Sequence, residues 1–375
     1  MEFKISNDIL MAAVSDVQPV IPKNPTLPIL NHILMTAENK SLSLRVTNLE
    51  QSVTVTVPTI KISGKGSSAI NSARLFKLLK GLPDDTELNC KQQNNTLEIT
   101  TPTGKFFIPT ISAEEFPNTE TKTSGNTITL DKSFLFDIAN KLSFAVAKDD
   151  LRPAMTGICL QIHPDSNLLT AVATDGHRLM KLTHKVEELE VEKNIEVIFP
   201  VNALSMITRL ISEEAENVII SFDNNRMDID LDTAFLTSRL IEGHYPHFDS
   251  VIPKENENEI IIDRQDLIQA TRLADTFTNP INHQVILKID KNGQTISAED
   301  TEDGSKGIVT LDGNHNGDEI IIGFNALYLI DNLKHINGDN VIVLMDGPTT
   351  AVIVNPEVQE AMTELLTVVM PVRLG

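Results

Sequence analysis

Three segments of the chain follow one pattern, and that repetition limits the fold more than any single motif does. Residues 72–88 read SARLFKLLKGLPDDTEL, residues 202–218 read NALSMITRLISEEAENV, and residues 325–341 read NALYLIDNLKHINGDNV. Each opens on a helix-capping type of residue followed by Ala, carries an amphipathic helical stretch, breaks at a polar turn and enters a β-rich run. A second set of matches has the same period. Phe3-Lys4-Ile5-Ser6, Ile128-Thr129-Leu130-Asp131 and Ile260-Ile261-Ile262-Asp263 each read as a short strand ending in a residue able to cap a helix. The helices expected after them keep apolar residues in register at Leu10, Leu135 and Leu267, then at Ala13, Ile138 and Ala270. A third set, Thr47-Asn48-Leu49-Glu50, Thr174-Asp175-Gly176-His177 and Thr301-Glu302-Asp303-Gly304, falls between the two helices of each copy. A period this long describes domains, not the short units of a solenoid.

The repeat therefore predicts three similar domains, 1–125, 126–253 and 254–375, each with two helices and several strands. Strands outnumber helices, and the chain has neither a β-α-β rhythm nor a Gly-rich phosphate loop. The class is α+β with antiparallel sheets. A chain of 375 residues is long for one core and comfortable for three. No apolar run is long enough for a membrane span, and residues 1–20 lack the layout of a secretory signal. The expected compartment is the cytoplasm. Cys90 and Cys159 fall in strands of different domains and read as buried, reduced thiols.

The net charge of −21 argues at first against nucleic acid. Its distribution is uneven: residues 1–125 carry equal numbers of basic and acidic side chains, whereas 126–253 and 254–375 carry a large acidic excess. Two readings stand. The asymmetry favours a head-to-tail contact between the first domain of one copy and the third of another, or the acid merely confers solubility. Local basic faces survive within the acidic total. On the helix from Ser72, the residues Arg74, Lys77 and Lys80 lie opposite Leu75, Leu78, Leu79 and Leu82. Lys141, Lys148 and Arg152 lie near the second domain's first helix, and Arg209 lies in its second. Singly, each reads as a solvated charge; as a set they read as a sparse lining that grips phosphates without reading bases. With no Trp and two Tyr, base stacking is not expected.

Catalytic chemistry is thinly represented. Asp175, His177 and Arg178 crowd one loop and read as acid–base machinery, but no nucleophile in a familiar setting accompanies them. The histidines and cysteines lack zinc spacing. The acidic stretch 299–304 suggests calcium, lacks the full EF-hand pattern, and reads better as a charged hairpin or interface edge. No catalytic residue, cofactor or metal is expected.

The string ATDGHRL at 173–179 and the terminal MPVRL at 370–374 resemble the β subunit of bacterial DNA polymerase III, the sliding-clamp family. PTLPIL at 25–30, GLP at 81–83, FPN at 116–118 and GFN at 323–325 resemble it too, in the same order along the whole chain. The resemblance implies a DNA clamp fold closed into a ring by a head-to-tail homodimer, with helices inside and sheets outside. Such a ring encircles double-stranded DNA without sequence preference and tethers the polymerase. Its implied partners are the polymerase III alpha subunit, the clamp-loader subunits and other proteins that carry a clamp-binding motif; no membrane is involved.

The resemblance also implies a peptide-binding pocket between domains 2 and 3. Its residues would be Thr174, Gly176, His177, Arg178 and Leu179 from the loop, Pro246 and Val251 from the link, and Asn325 and Tyr328 from the last repeat helix. Pro348 and Thr350 would come from a late strand, and Val368, Met370, Pro371, Val372 and Arg373 from the tail, with Arg152 and Met155 at the rim. Leu179, Val251, Met370 and Val372 would form its apolar walls. Leu179 and Met370 read equally as ordinary core.

The sequence departs from the family at several points. Asn24 stands where a basic residue often precedes PTLP, leaving Lys23 beside it as a DNA-facing candidate. Pro153 and Ala154 replace aromatic residues that can follow Arg152, which counts against DNA contact there. Gly375 extends past the usual terminal Leu. Lys105, Phe106, Phe107 and Phe277 match dimer-interface positions, with Lys105 expected to face the acidic stretch 299–303.

Overall fold

Each third of the chain contributes two helices: α1 (Asn7–Val17) and α2 (Ser72–Lys80), α3 (Lys132–Leu142) and α4 (Val201–Leu210), and α5 (Arg264–Asp275) and α6 (Ala326–Lys334). The structure is a computed structural model that describes residues 1–118, 123, 125–149, 151–187, 189 and 191–374. Gly375 lies outside the described residues. Among the described residues every pairing between these strands is antiparallel, as the α+β reading requires.

The described residues gather into two units, the first made of 1–133 and 202–240. Its strands form one 13-stranded sheet. The order is Asn126–Asp131, Asn217–Phe222, Arg226–Asp230, Ala234–Arg239, Gln51–Pro58, Ser41–Thr47, His32–Glu38, Gly66–Asn71, Gly104–Ser112, Thr96–Thr101, Glu87–Gln93, Glu2–Ser6 and Lys61–Gly64. Leu10, Val14 and Val17 of α1 and Leu75 and Leu79 of α2 are buried, the stripe expected of half-buried helices.

The second unit holds 134–201 and 241–375. A nine-stranded sheet runs Ile195–Pro200, Gly157–His163, Leu168–Thr174, Arg178–Lys185, Thr363–Val369, Val352–Pro356, Asn340–Met345, Asn258–Asp263 and Gly313–Asn316. A four-stranded sheet runs Lys306–Leu311, Gly293–Glu299, Gln284–Asp290 and Ile320–Asn325. Both units join successive repeats by one device. In the first, Ala234–Arg239 pairs with Gln51–Pro58; in the second, Thr363–Val369 pairs with Arg178–Lys185. In each case the strand after the Thr-led loop of one repeat accepts the last strand of the next.

Local chemistry corrects three expectations. Ser72 does not cap α2: it is the first helical residue, and Asn71 caps the helix by accepting from Arg74 N at 3.1 Å. Asn202 lies inside α4, which begins at Val201. Only in the third copy does the expected residue cap, where Asn325 Oδ1 accepts from the backbone N of Leu327 and Tyr328. The third Thr-led loop is also out of register. Gly176 N donates to Thr174 Oγ1, but in the third copy the matching bond runs from Glu302 N to Asp300 Oδ1, so Asp300, not Thr301, opens that turn.

Cys90 and Cys159 are buried free thiols. Burial pushes the Cys90 thiol up to about 12, and burial raises Cys159 as well, so neither is a ready nucleophile.

Candidate functional site

The loop between Leu168–Thr174 and Arg178–Lys185 is built by its own side chains. Thr174 Oγ1 donates to Arg178 O at 2.7 Å and accepts from Gly176 N at 3.1 Å. Asp175 Oδ1 accepts from the backbone N of His177 at 2.9 Å and of Arg178 at 3.1 Å, and its Oδ2 accepts from Arg178 Nε at 3.1 Å. Gly176 sits at φ +89°, and a Cβ there would lie 2.8 Å from Arg152 Nη1. Both carboxylate oxygens of Asp175 thus hold the turn, and the His177 ring stacks on Tyr328 at 5.2 Å. Neither group is set up as an acid–base pair.

Arg178 is the staple of the region and is almost fully buried. Besides Asp175, its Nη1 meets Asp331 Oδ2 of α6 at 3.2 Å and its Nη2 donates to Phe144 O at 3.1 Å. The guanidinium lies over the rings of Phe144, at 4.7 Å, and Tyr328, at 5.0 Å. One cation therefore fixes three separate segments.

Beside this staple opens a cavity of about 390 Å³. Its wall holds Arg152, Met155, Thr174, Gly176, Arg178, Leu179, Pro246, Val251, Val368 and Met370, all named from the sequence. Leu179 and Val368 are fully buried and belong to the core with Tyr245 and Phe248, so for them the core reading and the wall reading describe one surface. Val251 is 47% exposed and Met370 is 37% exposed, and they form the lips. The tail is stitched in place: Met370 N donates to His177 O at 2.8 Å, and Val372 N donates to Gly323 O at 2.9 Å. An apolar floor with exposed apolar lips and backbone polar groups nearby suits the side chains of an extended peptide.

Other named residues stand outside this wall. His177 and Tyr328 form the stacked pair, Asn325 caps α6, and Val372 bridges to Gly323. Pro348 is exposed and Thr350 half-buried in the turn after Asn340–Met345; Pro371 is half-buried and Arg373 exposed. Sequence reasoning missed His247 and Phe248, which complete the wall. The signal available was their position directly after Pro246, where the chain has to turn. Pro153 and Ala154, which count against DNA contact, begin the short 3₁₀ helix Pro153–Thr156.

The basic candidates divide. Arg74, Lys77 and Lys80 on α2 are exposed, as are Lys23 and Lys148. Arg209 is exposed but lies 3.6 Å from Asp16 and donates to Ser15 O. Lys141 is a correction. Its side chain is 7% exposed and lies between Asp137 Oδ2 at 3.1 Å and Glu360 Oε1 at 2.9 Å. A buried lysine needs such partners, and these two carboxylates engage its charge inside the second unit.

Among the interface candidates, Phe107 is 63% exposed, Phe106 is half-buried, and Phe277 packs on Gly307 of Lys306–Leu311. Lys105 pairs with Glu98 at 3.1 Å, and Glu299 pairs with Lys306 at 2.8 Å, so both groups expected to meet already hold intrachain partners. In the acidic stretch, Asp300 and Asp303 accept backbone N–H bonds, as in a charged hairpin turn. Among the described residues no group of carboxylates, His or Cys is gathered as a metal site would require, and no helix is long and apolar enough to cross a membrane.

Comparison with known proteins covers the chain from end to end. Three family models of the DNA polymerase III beta subunit match in order: the N-terminal domain over residues 1–120, the central domain over 129–247 and the C-terminal domain over 249–373. A beta sliding clamp of Chlamydia muridarum is 30% identical over 377 residues, covering 100% of this chain and 99% of the relative. That of Haemophilus influenzae is 29% identical and covers 100% of both. Among solved structures, a sliding clamp of Pseudomonas aeruginosa bound to griselimycin superposes with a TM-score of 0.93 at 25% identity, with all of both chains covered.

Proposed function

The chain belongs to the DNA polymerase III beta subunit family, and on that premise we propose that it is a sliding clamp: two copies close head to tail around duplex DNA and tether the replicative polymerase. Each chain supplies three domains, 1–125, 126–253 and 254–375, so the ring holds six similar units. It has no catalytic role and works in the cytoplasm. A clamp loader opens it and places it on DNA.

The observation that carries the ring is the recurring junction. Repeat one receives the last strand of repeat two, and repeat two receives the last strand of repeat three. The same rule leaves one pair of edges over. Lys306–Leu311 lies at the end of its sheet, and among the described residues 104–109 pair only with Thr96–Thr101. Ile308 and Phe107 on these edges are each 63% exposed. Unpaired edges with exposed apolar side chains seek a partner strand, and joining them between two copies closes the ring.

The inner wall in this reading is sparse. Exposed Arg74, Lys77 and Lys80, with Lys23, Lys148 and Arg209, give weak, salt-sensitive phosphate contacts that break as the ring moves. A net charge of −21 keeps DNA off the remaining surface. The cavity beside Arg178 receives the clamp-binding motifs of the polymerase alpha subunit, the loader and other partners, with hydrophobes on Leu179, Val251, Val368 and Met370. Met155 and Arg152 would form one rim; His177, Asn325, Tyr328, Pro348, Thr350, Pro371, Val372 and Arg373 would line its extension.

Retention on DNA after loader treatment tests the reading. The protein should stay on circular DNA and run off linear ends; equal loss from both would overturn it.

A further inference from the structure

A guanidinium donates only in its own plane, so acceptors satisfy its edge and flat rings cover its faces. Arg178 takes both kinds of partner. Its edge meets Asp175 Oδ2, Asp331 Oδ2 and Phe144 O, and its central carbon stands 4.7 Å from the centre of the Phe144 ring and 5.0 Å from that of Tyr328. Phe144 lies in the 3₁₀ turn Ser143–Ala145, directly after α3. It offers its carbonyl to the edge and its ring to a face of the same ion.

Each ring is backed by a histidine. His177 stacks on Tyr328 at 5.2 Å and 12°, and His335 stacks on Phe144 at 3.8 Å and 9°. Tyr328, Asp331 and His335 fall at i, i+3 and i+7, one face of α6 carried into its C-cap. His335 Nδ1 lies 2.7 Å from Asp331 O, which can only accept, so Nδ1 carries a proton and the ring is held against the last turn. The contacts run from His177 through Tyr328, Arg178 and Phe144 to His335. Phe144 also leads into the cavity rim: Ala147 N donates to Met155 O at 2.9 Å, which closes the segment that carries Arg152 and Met155. Among the described residues, neither Phe144 nor His335 lines the cavity.

We infer that Phe144, backed by His335, is a positioning residue for peptide binding. It touches no ligand; through Arg178 it sets where the turn 174–179 stands, and through Ala147 where Met155 stands. This role rests on the peptide reading of the cavity given above. An aliphatic side chain in its place covers apolar area but lacks the negative face of a ring. The ring, not the buried area alone, therefore carries the role.

Two measurements on the full chain test it: titration of a labelled clamp-binding-motif peptide of the polymerase alpha subunit, and amide hydrogen exchange without peptide. Phe144→Leu should bind the peptide about fivefold more weakly, and Phe144→Tyr, which keeps the ring, should bind within about twofold of the parent. His335→Ala should fall between them. Without peptide, Phe144→Leu should speed exchange at His177 and Arg178, whose amides Asp175 holds, and leave α1 at parent rates. Ile289→Ala opens a hole in the buried side of the four-stranded sheet; it should lower the melting temperature and leave peptide affinity unchanged, which separates positioning from general stability. Equal binding by the parent and Phe144→Leu would overturn the role, as would a Phe144→Tyr as weak as Phe144→Leu or an Ile289→Ala that weakens binding as much. If the parent itself does not bind the peptide, the peptide reading falls and exchange decides alone: faster rates at His177 and Arg178 in Phe144→Leu, restored in Phe144→Tyr, uphold the positioning of the turn, and unchanged rates overturn it.

Discussion

Asp331 Oδ2 lies 3.2 Å from Nη1 of Arg178, so α6 and the Thr174–Arg178 turn are tied by an ion pair whose cationic member is buried. The two residues are far apart in sequence, and Asp175 and Phe144 O occupy the rest of the guanidinium. One side chain therefore ties the cavity wall to α6 and to Phe144, while the start of the tail is held by the backbone bond from Met370 N to His177 O.

Arg178→Ala should be among the most damaging changes in the second unit. It leaves Asp175 with little exposure and no cation, and it removes the packing on Phe144 and Tyr328. Breaking a buried pair from one side costs about 3–5 kcal/mol. Asp331→Asn should cost less, about 1 kcal/mol, because Asp331 is 40% exposed and Arg178 keeps Asp175. Urea unfolding of the two variants measures the difference.

Gly176→Ala tests the turn itself. Its backbone stands at φ +89°, and the new Cβ would meet Arg152 Nη1. The conformational term costs about 1–2 kcal/mol, and Arg152, which donates to Asp175 O, has to move. The expected result is a modest loss of stability and a larger loss of affinity for a clamp-binding-motif peptide, read by titration of one labelled peptide against both proteins.

What the sequence made legible was local. The strand endings at Ser6, Asp131 and Asp263 and the stripes through Leu10, Leu135 and Leu267 are short-range patterns, and the structure contains those strands and helices. Lys141 shows where legibility stops. Asp137 is visible as its i,i+4 partner, but Glu360 reaches it only through tertiary folding, so a lysine read as a surface charge is buried. The pairing of Ala234–Arg239 with Gln51–Pro58 was hidden for the same reason. Around the cavity, the residues named were found through resemblance; periodicity alone would have assigned Leu179 and Val368 to the core, which is also true of them.

The edge pair predicts the behaviour of the assembly. Phe107→Asp and Ile308→Asp each put a charge on an exposed apolar position at an unpaired edge, so neither should disturb the folded chain. Each should shift sedimentation toward the monomer at micromolar concentration with an unchanged circular dichroism spectrum. A dimer as tight as the parent in both variants would rule out this seam.

Glu360 gives the chain a defined acid sensitivity. The hydrogen bond from Lys141, and then that from Asn337, hold its carboxyl below the ordinary glutamate value. A carboxylate whose folded pKa is depressed stabilises the fold above its unfolded value, about 4.3 for glutamate, and loses that contribution as pH falls through the folded value. Its side chain is 48% exposed, so solvent screening holds the effect to about 1 kcal/mol or less. Glu360→Gln should therefore be less stable than the parent by a constant amount from neutral pH down to about pH 5, and the gap should close below about pH 4. Urea midpoints measured across that range test the sign: a gap that widens on acidification would show that Lys141 does not depend on this carboxylate.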